Sequence, residues 1–139
     1  MTARSRRPRG LLDTSVVIAL PELDDPAALP EQPLISAITL AELSAAPLLT
    51  DDARERAARQ AHLQQAEADF NPLPFDAAAA RAFGRVAASL GRGGRKRAAR
   101  SSDAMIAAVA IANALPVYTC NPDDFAGIEG LDVVTVERP

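Results

Sequence analysis

Short apolar runs alternate along this chain with longer stretches that suit helices. The apolar runs predict five buried β-strands, at residues 10–12, 33–38, 73–75, 116–119 and 131–136. The stretches between them predict helices at 16–20, 40–46, 51–69, 76–90 and 101–113. Strands that alternate with helices indicate a parallel sheet with helices on both faces. We therefore expect a three-layer α/β/α fold around a central parallel sheet.

The residues at the helix ends refine these boundaries. Thr39 is a suitable N-terminal cap for the helix at 40–46, which would place Glu42 in its first turn. Asp76 caps the alanine-rich helix that follows Phe75, and Gly91 is a typical helix stop. These assignments predict that Glu42 lies close to the end of the second strand.

Length and charge indicate one domain with an uneven surface. The 139 residues, 48% of them apolar, suit a single domain at 10–139, and the basic segment 1–9 is predicted to be a flexible arm. The net charge is −3, but positive residues cluster in that arm and again in the predicted loop 91–100. Because charge distribution matters more than its total, nucleic-acid binding is not excluded.

The scarcity of cysteine and histidine excludes several chemistries. Cys120 and His62 are the only residues of their types, so an intrachain disulfide is impossible and a zinc site or a Ser–His–Asp triad is disfavoured. No apolar run is long enough to span a bilayer, and Asp13 interrupts the apolar region that a signal peptide would need. We expect a cytoplasmic protein without a membrane segment.

Acidic residues recur where the predicted strands end or the following helices begin. In an open parallel sheet, sites form beyond the carboxyl ends of the strands. Four acids from separate segments are candidates for that edge: Asp13, Glu42, Asp103 and Asp124, with Asn121 beside the last. Gathered carboxylates repel one another, and oxygen-only ligands suit Mg²⁺ or Mn²⁺. Each acid alone also fits an ordinary cap or turn residue, so the prediction depends on the ordered set.

Four segments of the chain resemble the motifs of the PIN-domain family, and of VapC toxins in particular. They are Leu-Leu-Asp-Thr-Ser-Val-Val-Ile at 11–18, Ile-Ser-Ala-Ile-Thr-Leu-Ala-Glu-Leu at 35–43, Asp-Ala-Met-Ile-Ala-Ala at 103–108 and Thr-Cys-Asn-Pro-Asp-Asp-Phe at 119–125. The resemblance extends over residues 11–136. It implies a three-layer PIN-like fold.

The resemblance also implies an activity and partners. It implies Mg²⁺ or Mn²⁺ held by Asp13, Glu42 and Asp103. Asn121 stands where many relatives carry Asp, so Asp124 is taken as the fourth catalytic acid and a second metal is left open. The implied function is that of a toxin: an endoribonuclease that hydrolyses phosphodiester bonds in tRNA or rRNA and arrests growth. A VapB-like antitoxin and a homodimer are the implied partners.

Further residues acquire roles in this interpretation. The basic loop is predicted to bind RNA phosphates through Arg92, Arg95, Lys96, Arg97 and Arg100. The polar side chains Ser15, Thr39 and Asn121 are predicted to position water or phosphate, although Ser15 and Thr39 fit equally well as helix caps. Two alternatives stay open: a non-catalytic RNA- or partner-binding module, and a metal-dependent phosphatase-type domain. The latter is disfavoured because Ser15 replaces the second acid of an Asp-x-Asp motif.

Overall fold

A parallel β-sheet forms the centre of the molecule in the computed structural model, which describes residues 6–139. Its four strands in that range are β1 (Arg9–Leu12), β2 (Gln32–Leu34), β3 (Val117–Thr119) and β4 (Val133–Thr135). The strand order is β2-β1-β3-β4, and every pairing is parallel. All carboxyl ends therefore meet at one edge.

Five α-helices, all within residues 6–139, cover the sheet. They are α1 (Thr14–Ala19), α2 (Ala37–Ala45), α3 (Ala53–Asp69), α4 (Ala77–Arg92) and α5 (Ser102–Ala112). Each begins after a side chain that accepts a backbone N–H, as Asp76 does for Ala79 and Ser101 for Ala104. Short 3₁₀ segments lie at Leu20–Glu22, Pro26–Ala28, Ala46–Leu49, Ala98–Arg100 and Pro122–Phe125.

Two apolar clusters fill the spaces on either side of the sheet. Leu11 on β1 packs with residues of α4 and α5, whereas its neighbour Leu12 packs with residues of α1, α2 and α3. Val117 and Tyr118 on β3 divide in the same way. Adjacent strand residues point to opposite faces, so both sides of the sheet are buried. The predicted three-layer α/β/α fold is confirmed.

The second strand and the helix after it differ from the prediction. The predicted strand at 33–38 ends earlier because Ser36 already caps α2, its hydroxyl accepting the Thr39 N–H at 3.2 Å. The prediction of Thr39 as the cap was therefore wrong. Glu42 lies in the second turn of α2, not the first. The earlier start turns both Thr39 and Glu42 toward the end of β1.

Other predicted boundaries also shift. The strand predicted at 73–75 is reduced to a single bridge between Leu73 and Ser36. Helix α4 continues through Gly91 to Arg92, with Gly93 as its C-terminal cap. The flexible loop predicted at 91–100 is shortened accordingly, and the Ala98–Arg100 turn lies within it.

The basic segment before β1 is attached to the fold from Arg6 onward. Arg7 and Pro8 accept backbone N–H groups from Glu31 and Gln32 through their carbonyls, at 2.8 and 2.9 Å. This differs from the flexible arm predicted for residues 1–9, of which the first five lie outside the described residues. No helix in residues 6–139 has the length and apolarity needed to cross a membrane.

Candidate active site

Asp13 lies where β1 ends and α1 begins. Its side chain is 3% exposed and caps α1, with Oδ1 accepting the Val16 N–H at 3.1 Å. Oδ1 also accepts the Ser15 hydroxyl at 2.6 Å, and Oδ2 accepts the Thr119 hydroxyl at 2.5 Å. A buried carboxylate is tolerated only when such donors surround it. The backbone thus folds so that Asp13 is fixed before any ligand binds.

The pairing of β1 with β3 explains why Thr119 reaches Asp13. The Asp13 N–H donates to the Tyr118 carbonyl at 3.0 Å, which continues the parallel ladder past the end of β1. Thr119, fully buried at the end of β3, then lies against the carboxylate and accepts the Asn121 N–H at 2.9 Å. Thr119 therefore links Asp13 to the segment that carries Asn121 and Asp124.

Ser15 forms a second link between the same two segments. Its hydroxyl donates to Asp13 and accepts the backbone N–H of Cys120 at 3.0 Å. The Ser15 hydroxyl thus uses both its proton and an acceptor lone pair within the protein. Ser15 was predicted to position water or phosphate, and the contacts it makes in the structure orient Asp13.

Glu42 is positioned by two threonines. The Thr14 hydroxyl donates to Glu42 Oε1 at 2.7 Å, and the Thr14 and Thr39 hydroxyl oxygens lie 3.1 Å apart. Because Thr14 has one hydroxyl proton, which Glu42 accepts, Thr39 is the donor in the threonine pair. A chain of two hydroxyls therefore orients the carboxylate, and Thr39 acts through Thr14.

Asp103 lies in the first turn of α5, and its environment differs from that of Asp13. Burial and the nearby charges of Asp124, Asp13 and Glu42, in that order, raise its pKa from 3.8 to about 6. These charges come from segments far apart in sequence, and they act together on one carboxyl group. The structure thus brings the four predicted acids into one electrostatic cluster, the acid cluster.

The acid cluster is open as it stands. Within residues 6–139, no three carboxylate, histidine or cysteine side chains approach closely enough to form a finished metal site. The donors are nonetheless all oxygen atoms, which suit Mg²⁺ or Mn²⁺, and the repulsion that raises the Asp103 pKa is the kind that a cation relieves. The chemistry of these side chains therefore suits a divalent ion.

Three of the five predicted basic residues lie beside the acid cluster. Arg95, Lys96 and Arg97 line an open cavity of about 380 Å³ together with Asp103 and Asp124. Arg95 is held there because its guanidinium donates to the Asp123 carbonyl at 3.0 Å. Positive and negative side chains thus meet across a single cleft.

The structure does not bring the other two basic residues to this cleft. Arg92 points to Glu129, with 3.8 Å between Nη2 and Oε2, and lines a different cavity. Arg100, at the end of a 3₁₀ turn, is not among the residues that line the cleft. The N-terminal part of the predicted RNA-binding loop is helical, which rotates Arg92 away from the acids.

Two hydroxyl residues of the site were not among the predicted functional side chains. Thr14 follows Asp13 directly, and Thr119 is the first residue of the Thr-x-Asn motif. Both therefore lie within the motifs that were recognised, although neither threonine was predicted to be functional. Asn121 was predicted to contact water or a ligand, and in the structure its backbone does the bonding: its carbonyl accepts the Asp124 N–H at 3.0 Å. Its side chain is exposed, as is that of Asp124.

Comparison with known proteins identifies the family. The PIN domain family matches residues 10–131, which is most of the chain. This chain therefore belongs to the PIN-domain family, as its four motifs predicted. The match begins at β1 and ends just before β4, so it includes every member of the acid cluster.

Individual relatives are similar over nearly their whole length. Ribonuclease VapC5 of Mycobacterium tuberculosis is 41% identical over 132 residues, covering 93% of this chain and 94% of that protein. The crystal structure of VapBC-5, a toxin–antitoxin system of the same organism, matches with a TM-score of 0.80 and 40% identity over 93% of this chain and 99% of that one. DNA-bound VapBC from Salmonella typhimurium matches with a TM-score of 0.71 and 26% identity, covering 90% and 96%.

Proposed function

We propose that this chain is a divalent-metal-dependent endoribonuclease and the toxin of a type II toxin–antitoxin pair. The observation that carries the proposal is the acid cluster, in which burial and three carboxylates from separate segments raise the pKa of Asp103 to about 6 beside three basic residues. The 41% identity to a ribonuclease over 93% of the chain supports the same activity.

Asp13, Glu42 and Asp103 would hold Mg²⁺ or Mn²⁺ in this proposal. The bound ion supplies an activated water and offsets the negative charge that develops on the attacked phosphate. Thr119 and Ser15 hold the Asp13 carboxylate in place, and Thr14 does the same for Glu42. Fixed ligands favour catalysis because little reorganisation is needed when the substrate binds.

RNA would approach from the side of the basic cleft. Arg95, Lys96 and Arg97 are placed to bind phosphates adjacent to the one that is cleaved. Asp124 lines the same cleft, where it acts on the charge of Asp103. We propose tRNA or rRNA as the substrate class, so that cleavage inhibits translation and growth.

The partners that we propose for this chain are inferred from its solved relatives. The solved relatives include VapBC toxin–antitoxin systems, and we propose a VapB-like antitoxin for this chain. Leu48 and Leu49, in the turn after α2, are 83% and 76% exposed, and such apolar surface is available to a protein partner. We also propose a homodimer and a cytoplasmic location, which matches the compartment of the RNA substrates.

Purified protein tests the activity. Total RNA incubated with the chain and Mn²⁺ should show discrete cleavage ends, and these should disappear with EDTA or with the Asp13→Asn variant. The matched control is Asp51→Asn, which removes an exposed carboxylate outside the acid cluster. Cleavage that persists in Asp13→Asn would contradict the proposal. A chain that binds RNA and antitoxin without Mn²⁺-dependent cleavage would instead be the non-catalytic module.

A further inference from the structure

A second cavity, of about 690 Å³, shares no lining residue with the basic cleft beside the acid cluster. Arg6 and Arg7, just before β1, line it together with Val133 at the start of β4 and with Tyr118. Val134 and Thr135 line it as well, so the cavity begins at the amino-terminal edge of the sheet and extends along β4. Asp13, Glu42, Asp103 and Asp124 do not line it, and the proposed hydrolysis does not use it.

Tyr118 reaches this cavity because β1 carries a glycine beneath its ring. A Cβ built at Gly10 would lie 2.4 Å from Tyr118 Cε1, so no other residue leaves room for the ring. Leu12 pairs with Tyr118, and Gly10 lies two residues earlier on β1, so the ring extends toward the amino ends of the strands. Burial raises the pKa of Tyr118, which keeps the hydroxyl protonated as a hydrogen-bond donor.

The two arginines differ in their partners. Arg6 donates through Nε to the Leu29 carbonyl at 3.1 Å and through Nη2 to the Pro30 carbonyl at 2.9 Å. Carbonyls fix the guanidinium without neutralising its charge. Arg7 is paired through Nη1 with Asp132, which leaves its Nη2 uncommitted within residues 6–139. Two positive charges thus face the cavity against a single carboxylate at its rim.

We propose that this cavity binds a phosphate group of a nucleotide, held by Arg6 and Arg7 and by the Tyr118 hydroxyl. A guanidinium fixed by carbonyls is preorganised for phosphate because its remaining N–H groups keep one orientation. Ala28 and Leu29, which also line the cavity, offer an apolar wall for the sugar or base. The nucleotide comes either from the RNA strand, in which case the inference rests on the proposed function, or from a free mononucleotide.

An acidic peptide is the competing occupant, since β4 is an edge strand of the sheet that residues 6–139 form. The cavity favours phosphate because three side chains with hydrogen-bond donors, Arg6, Arg7 and Tyr118, line it, and phosphate offers oxygens in several directions to accept them. A carboxylate on an extended peptide would engage one arginine at a time.

Equilibrium binding to the full-length chain in EDTA tests the proposal, because chelation of divalent ions separates binding from cleavage. The probes are a fluorescent 12-nucleotide single-stranded RNA, AMP and a fluorescent poly-glutamate peptide. Arg6→Gln removes one charge, and Tyr118→Phe removes only the hydroxyl while keeping the ring over Gly10. Arg81→Gln is the matched control, since Arg81 is exposed on α4 and does not line this cavity.

Arg6→Gln should weaken nucleotide-phosphate binding by about fivefold and lower the salt dependence of RNA binding by roughly one phosphate contact. Tyr118→Phe should weaken it by about threefold, the worth of one hydrogen bond near 1 kcal/mol or less. Loss for RNA alone identifies the RNA strand as the source, and loss for AMP as well identifies a mononucleotide site. Effects no larger than those of Arg81→Gln in both variants overturn the proposal, as does a loss confined to the peptide.

The proposed function and this inference fail separately. A chain that cuts RNA normally but shows no effect of Arg6→Gln or Tyr118→Phe on binding keeps its nuclease assignment and loses the second site. A chain without Mn²⁺-dependent cleavage that still binds AMP through Arg6 and Tyr118 keeps the second site and loses the nuclease assignment.

Discussion

Asp13 and Asp103, two members of the acid cluster, differ in how the protein stabilises their negative charge. Asp13 is buried and accepts three hydrogen bonds, from Val16, Ser15 and Thr119. Asp103 is governed instead by burial and by like charges, both of which raise its pKa. No hydrogen bond from residues 6–139 lowers that pKa. One carboxylate is stabilised by the protein itself, and the other is left to be stabilised by what binds.

This difference separates two contributions to a metal site. In the proposed site, donors around Asp13 would determine where the ion sits, whereas repulsion at Asp103 would supply part of the free energy that favours binding a cation. A site in which every carboxylate accepted hydrogen bonds from the protein would be rigid but would bind a cation weakly. A site in which the carboxylates only repelled one another would favour unfolding of the chain or protonation of the acids.

Replacement of Asp13 should have the largest effect. Asp13→Ala removes a proposed metal ligand and leaves the Thr119 and Ser15 hydroxyls without their acceptor. We expect Mn²⁺-dependent RNA cleavage to fall by more than about 100-fold, since even residues behind metal ligands are worth 10- to 100-fold. Single-turnover cleavage assays measure this, with Asp51→Ala as the control. A residual rate within tenfold of wild type would rule out Asp13 as a ligand.

Replacement of Thr119 should have the second-largest effect, because Thr119 acts on the proposed metal site through Asp13. Thr119→Val keeps the shape but removes the hydroxyl, and we expect Mn²⁺ affinity to fall by about 10-fold or more. Thr119→Ser restores the donor and should recover most of the affinity. Calorimetric Mn²⁺ titration distinguishes this positioning role from packing, because a packing defect would lower stability in both variants and would not be rescued by the hydroxyl.

Asp103 should respond to pH in the metal-free chain. The folded carboxyl has a pKa of about 6 against 3.8 for the ordinary group, so the folded state holds the proton more tightly. The free energy of unfolding contributed by Asp103 therefore decreases as pH rises from about 4 to about 6 and stays low above that.

Asp103→Asn should remove this dependence. We expect the variant to be more stable than wild type by about 1 kcal/mol at pH 7.5 in EDTA, a value reduced for the partial exposure of the group, and nearly equal at pH 4.5. Urea unfolding at both pH values, with Asp51→Asn alongside, measures the difference. An equal effect at the two pH values would contradict the electrostatic explanation.

The basic cleft should give the smallest effect. Arg95→Gln removes one phosphate contact beside Asp103, and we expect RNA affinity to fall by about threefold with a shallower salt dependence. Arg92→Gln is the comparison, because Arg92 points to Glu129 and away from the cleft. Fluorescence anisotropy at several salt concentrations would show whether the two variants differ; equal losses would mean that RNA does not follow the cleft.

The sequence predicted the fold and the proximity of the four acids better than the hydrogen bonds around those acids. Alternating strands and helices, and caps such as Asp76, depend on neighbouring residues and could be recognised locally. The cap of α2 was misassigned to Thr39 because Ser36 continues an apolar run that suits a strand equally well. The contact of Thr119 with Asp13 depends on the register of β1 against β3, which no local pattern specifies.

The hydrogen bond between Thr119 and Asp13 joins residues 106 positions apart. A nascent chain that still lacks β3 has Asp13 without its neutral donor and without Cys120 to engage Ser15. Assembly of the acid cluster is thus withheld until Thr119 and Cys120 have left the ribosome. The proposed RNA-cleaving site would in this way remain unformed beside the ribosome that makes the chain.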